Sequence, residues 1–153
     1  MDAYKTPESN LELGLEKPFK PIIALTYGLL VSLGLSFVAS NIEMIVFLLL
    51  NRDSAPSLSN ESEIKLFLAK NVVFLLLDIL TSVAILYYAG TRVRKFACGQ
   101  EIKYGFILSA ITFSVLFAVY LFDKAYSIYP HWYSFTLFAS TFLAVFLGAK
   151  PKP

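Results

Sequence analysis

The stretch LFLAKNVVFLLLDILTSVAILYYA, from Leu66 to Ala89, constrains the chain more than any other. It is long enough to cross a hydrocarbon core of roughly 30 Å as a helix. It also carries Asp78 at its midpoint and Lys70 near its start. A carboxylate at the centre of a spanning helix is costly, so the fold has to accommodate it.

The rest of the sequence agrees with a bilayer as solvent. Of the 153 residues, 57% are hydrophobic and 16% charged, and the apolar residues fall in long blocks rather than in the short stripes of a water-soluble core. Mean hydropathy is +0.65. A formal charge of +2 gives no electrostatic basis for a nucleic-acid partner. Cys98 is the only cysteine, so no disulfide forms within the chain, and an inert thiol is expected.

Four spans are predicted, at about 21–43, 66–89, 105–122 and 131–148, giving an all-α integral membrane bundle of four transmembrane helices over 21–149. Residues 1–20 are polar, broken by Pro7 and Pro18, and read as a flexible lead; 150–153 form a short tail. The lead lacks the pattern of a cleaved signal peptide, so the first span reads as a signal-anchor. The apolar block from Pro21 to Leu50 would be roughly 45 Å long as a helix, so it must tilt, break or protrude. Asn41 and Glu43 mark where it is expected to reach the far interface. Asn60 and Glu63 have the spacing of a capping box opening a central helix from about Glu61 to Ala89, with Gly90 as its C-terminal cap. Tyr126, Tyr129, Trp132 and Tyr133 read as an interfacial aromatic belt.

The opening MDAYKTPESNL resembles the N-P-Y-x-x-P-x-S-x-L lead of many small multi-pass bacterial membrane proteins. Tyr4, Pro7, Ser9 and Leu11 match, while Asp2 and Ala3 stand where Asn and Pro are usual. The resemblance implies a bacterial inner (plasma) membrane and carries no activity and no functional residue. Basic residues give the orientation. Lys5, Lys17, Lys20, Arg92, Arg94, Lys95, Lys103, Lys150 and Lys152 fall on one side, against Arg52, Lys65 and Lys124 on the other. Both termini are therefore expected in the cytoplasm.

Two kinds of intramembrane feature stand out. The first is a pair of small-residue stripes at every fourth position, Gly28, Ser32, Ser36 and Ser40 in the first span and Thr136, Ser140, Ala144 and Gly148 in the fourth. Such stripes permit close helix approach. The second is a polar set. In an antiparallel hairpin of the first two helices, Glu43 and Lys70 fall within about 3 Å of the same height and can pair, with Asn41 and Asn71 at nearly the same level. The same counting sets Asp78 opposite Ser32 to Ser36, whose hydroxyls can donate to it.

No H-E-x-x-H, G-x-S-x-G, phosphate-binding glycine loop or C-x-x-C is present, and His131 is the only histidine. No catalytic residue, metal ligand set or cofactor is therefore expected. Two functional classes remain. The stripes favour a non-enzymatic protein that packs against another membrane protein, as an accessory or immunity-type subunit, or against a second copy of itself. The alternative is a small oligomeric transporter or channel whose path runs past Glu43, Lys70 and Asp78.

Overall fold

Pro21 lacks an N–H and is fixed in φ, and it opens the first helix at the position where both properties suit a helix start. The computed structural model describes residues 20–56, 60–97, 99–122 and 128–151, and these form five helices with no strand among them. They are α1 (Pro21–Leu50), α2 (Glu61–Lys70), α3 (Val72–Phe96), α4 (Glu101–Phe122) and α5 (His131–Ala149). Helices α1, α3, α4 and α5 are each long and apolar enough to cross a membrane. The chain is an all-α integral membrane bundle of four transmembrane helices. Apart from Lys20, the expected flexible lead lies outside the described residues, as do Cys98, Asp123, Lys124, Tyr126 and Lys152.

The central helix departs from the sequence reading at both ends. Instead of running unbroken from about Glu61 to Ala89, the chain leaves helical geometry at Asn71, with φ −94° and ψ 103°. The Asn71 side chain accepts from the backbone N–H of Val73 and Phe74, at 3.1 and 3.4 Å. It thus supplies an N-terminal cap to a new helix, an interaction that competes with helix continuation. Asn60 caps α2 as its spacing predicts, accepting from the Glu63 N–H at 3.4 Å. At the other end α3 runs past Gly90 to Phe96, so Gly90 is an interior residue and not a cap.

That glycine is needed for packing. A Cβ on Gly90 would lie 2.2 Å from the Val145 carbonyl oxygen, and one on Gly148 would lie 2.1 Å from the Tyr87 carbonyl oxygen. Helices α3 and α5 therefore cross backbone to backbone, and this is the most extensive helix contact in the molecule. Helix α4 lies along α5, where Gly105 admits the Ala149 methyl group, and α1 lies along α3. The ring closes through the first turns of α1, where Gly28 receives Leu108 of α4 and Val93 of α3. Beyond those turns α1 and α4 separate.

The bundle is apolar outside and partly polar inside. Ile22, Leu50, Phe122 and Phe135 are each more than three-quarters exposed, whereas Ser32, Asp78, Ser109, Thr112, Ser134 and Thr141 are buried. This is the arrangement expected when lipid surrounds the helices. The long α1 departs from regular α-helical geometry in its middle. It widens into a π-helical segment at Leu30–Leu35, and its last turns pack against α2. There Phe47 and Leu48 pack with Ile64, Leu68 and Phe74 in one apolar cluster.

Both stripes pass between buried and exposed positions, for a geometric reason. On a helix of 3.6 residues per turn, positions four apart drift by about 40° per step. Helix α5 is regular, so its stripe spirals from exposed Thr136 through half-buried Ser140 to buried Ala144 and Gly148. In α1 the stripe runs the other way, from buried Gly28 and Ser32 through half-buried Ser36 to exposed Ser40, while the wider π turns keep Ser32, Ser36 and Ser40 on one cavity wall.

Candidate intramembrane binding site

Where α1 and α4 part, the four spans enclose a cavity of about 460 Å³. Ser32, Ser36 and Ser40 of α1 form one wall. Asp78 and Ser82 of α3 face it, with Thr112 of α4 and Tyr133 and Thr141 of α5. Asn41 and Lys65 line the end nearest α2, and Lys65 pairs with Glu61 at 2.6 Å. On the side between α1 and α4 the lining residues Leu33, Phe37, Val115 and Val119 are also exposed on the outer surface. The cavity therefore opens there toward lipid.

Asp78 is the centre of this site. It is 8% exposed, and both carboxylate oxygens are engaged, one by the Ser40 hydroxyl at 3.1 Å and the other by the Tyr133 hydroxyl. Both donors are neutral. No Lys, Arg or His lies within ion-pair distance of Asp78 among the described residues. The donor from the first span is Ser40, one turn beyond the Ser32 to Ser36 level that residue counting gives, while Ser32 turns back to the Leu29 carbonyl at 3.1 Å. Because α3 begins at Val72, Asp78 lies in its second turn, about 10 Å along the axis from the Asn71 cap, and not at the middle of a longer helix.

The hydroxyls divide into two groups. Thr112 and Thr141 donate to carbonyls one turn back on their own helices, Leu108 and Leu137. Ser36 and Ser82 have no hydrogen-bond partner among the described residues, so their hydroxyls are free to meet a ligand.

Glu43 points toward the same region of α3. Its Oε2 is buried without a partner among the described residues. The Glu43–Lys70 pair that residue counting allows is absent among the described residues. The break at Asn71 lets α2 leave the α3 axis, and Lys70 ends exposed in the last turn of α2. Asn71 serves as a cap, and Asn41 is exposed with its amide donating to the Phe37 carbonyl at 2.7 Å. The polar cluster of Asn41, Glu43, Lys70 and Asn71 thus dissolves into separate local roles.

Tyr133 is the site residue that sequence reasoning assigned elsewhere. It reads as part of an interfacial belt, yet it is 6% exposed and donates to Asp78. Its register with Leu137, Thr141, Ala144 and Gly148 on the buried face of α5 is the signal that identifies it. No group of three metal-ligating side chains converges among the described residues. Comparison with protein-family models, with curated proteins and with solved structures finds no match to the chain, so the reading of the site rests on its chemistry.

Proposed function

We propose that this membrane protein is a small, non-enzymatic transporter that binds its solute inside the bundle at Asp78. The observation that carries this reading is a buried carboxylate, held only by neutral donors, on the wall of a cavity with unpartnered serine hydroxyls. An uncompensated charge within a span is expensive to keep, and a ligand that meets it supplies the reason to keep it. The cavity lies within a single copy, so this reading does not need an oligomer to form its site.

The competing reading, a surface for another membrane protein, rested on the small-residue stripes. Gly28, Ser32, Ala144 and Gly148 are used inside the bundle, which leaves fewer small residues for such a surface. The basic residues at the end holding Lys20, Arg92, Arg94 and Lys150 favour the cytoplasmic side for that end, and the resemblance of the N-terminal lead favours a bacterial inner membrane.

Cysteine accessibility tests the proposal. With Cys98 replaced by alanine, Ser36→Cys is treated with a membrane-impermeant methanethiosulfonate applied from each side of sealed vesicles in turn. Modification from both sides is expected. Modification from the α2 side alone ends the translocation reading, and no modification from either side ends the binding reading as well.

A further inference from the structure

The geometry points to a ligand class: we propose that the cavity takes a small organic ammonium ion with an apolar body, its charged head at Asp78 and its body directed toward the gap between α1 and α4. This rests on the reading of the cavity as a solute site and adds the chemistry of the solute.

Three observations carry it. The first is charge. Asp78 is more than nine-tenths buried and has no cationic partner among the described residues, while Lys65, the basic residue on the lining, is paired with Glu61. An incoming cation thus meets a carboxylate already oriented by Ser40 and Tyr133. The second is the coordination available. A bare inorganic cation asks for six or so oxygen ligands in a tight shell, at roughly 2.0–2.6 Å for magnesium and calcium. A cavity of about 460 Å³ with Asp78 oxygens already committed to two hydroxyls does not close around an ion of that size. An ammonium centre bearing carbon substituents fills more of the space and needs only the charge and an aromatic face. Tyr129 and Tyr133, stacked with ring centroids 5.3 Å apart, stand on the lining beside Asp78.

The third observation is the polarity gradient. The wall at Asp78 carries the hydroxyls of Ser36, Ser40 and Ser82, whereas the opening between α1 and α4 is lined by Leu33, Phe37, Val115 and Val119. A ligand matched to this gradient is polar and cationic at one end and apolar at the other. The opening toward lipid also gives such a molecule a route of entry from the bilayer.

The test uses the full-length protein in nanodiscs and equilibrium dialysis of phenyltrimethylammonium against its neutral isostere tert-butylbenzene, with empty nanodiscs as background. Saturable retention of the cation above that of the isostere is expected, reduced at least about tenfold in Asp78→Asn, the loss expected when a desolvated cation contact is removed. Gel filtration of Asp78→Asn checks that the variant is folded, and the two-probe comparison on the unmodified protein does not depend on it. Equal saturable retention of both probes, unchanged in Asp78→Asn, overturns the ammonium assignment while leaving the cavity as a solute site. Retention of the cation undiminished in a folded Asp78→Asn overturns the role of Asp78. Retention of neither probe overturns the proposal and the solute-site reading together.

Discussion

At the scale of single residues, Asn71 and Tyr133 separate stability from function. Asn71 holds the first turn of α3 through two backbone N–H groups, and Asn71→Ala should cost about 1 kcal/mol, the usual value of a helix cap. Asp at this position accepts in the same geometry, so Asn71→Asp should recover most of the loss when unfolding is followed in detergent. Tyr133→Phe keeps the ring and its stacking on Tyr129 but removes a donor to Asp78. Leaving a buried carboxylate one hydrogen bond short costs about 1–3 kcal/mol. The loss from Ser40→Ala should be smaller, because the more exposed Ser40 leaves a space that water can enter. A larger effect at Ser40 than at Tyr133 would contradict this ranking. Asp78 stood out in the sequence, because an acid within an apolar run is conspicuous, though the helix break at Asn71 sets it near the start of α3 and not at its midpoint. The partners of Asp78 were legible in part: residue counting gave a serine hydroxyl of the first span, one turn away from Ser40, whereas the Tyr133 hydroxyl leaves no mark at the position it serves. The Glu43–Lys70 pair failed because residue counting assumed one straight helix through Asn71.

Elements were more legible than contacts. Apolar blocks and breakers located all four spans, because lipid demands long uninterrupted helices whatever their detailed packing. The separate helix α2 was missed because the apolar run continues across Asn71, and hydropathy does not register a cap. Gly90 illustrates the same limit: a glycine after an apolar block reads as a stop, but here it admits a second backbone. Glycine substitutions should rank accordingly. Gly90→Ala and Gly148→Ala place a methyl group against backbone atoms and should destabilise by about 1–3 kcal/mol or more, as overpacking does. Gly28→Ala meets the ends of Leu108 and Val93 side chains, which can yield, so its cost should be smaller. A Cβ at Gly34 meets nothing within 4 Å. Gly34→Ala should therefore be neutral or stabilising by up to about 1 kcal/mol through helix propensity. Thermal unfolding of the four variants in one detergent measures the order, and equal effects at Gly34 and Gly90 would refute the backbone crossing.

For the whole molecule, the bundle is tied tightly at one end and open at the other. At the basic end, the Lys20 N–H donates to the Phe96 carbonyl at 3.2 Å and Arg94 donates to the Lys150 carbonyl at 3.1 Å, while Gly28, Gly90, Gly105 and Gly148 bring the four spans together. At the α2 end α1 stands away from α4 and the cavity occupies the difference. Hydrogen exchange should follow this division, with slow exchange around Val93, Leu108 and Val145 and faster exchange in the outer turns of α1 from Ser36 onward. Uniform protection along α1 would argue against an opening between α1 and α4. The π segment gives the open half a particular tolerance to changes in chain length. From Gly28 to Ser40 the helix spends 12 residues where three turns of regular helix need about 11. Removing Gly34 alone should convert Leu30–Leu35 to regular helix with both ends still facing inward, so a single-residue deletion here should leave a folded bundle. The same deletion between Asp78 and Gly90 would rotate one against the other by about 100° and should abolish either the binding site or the α3–α5 crossing.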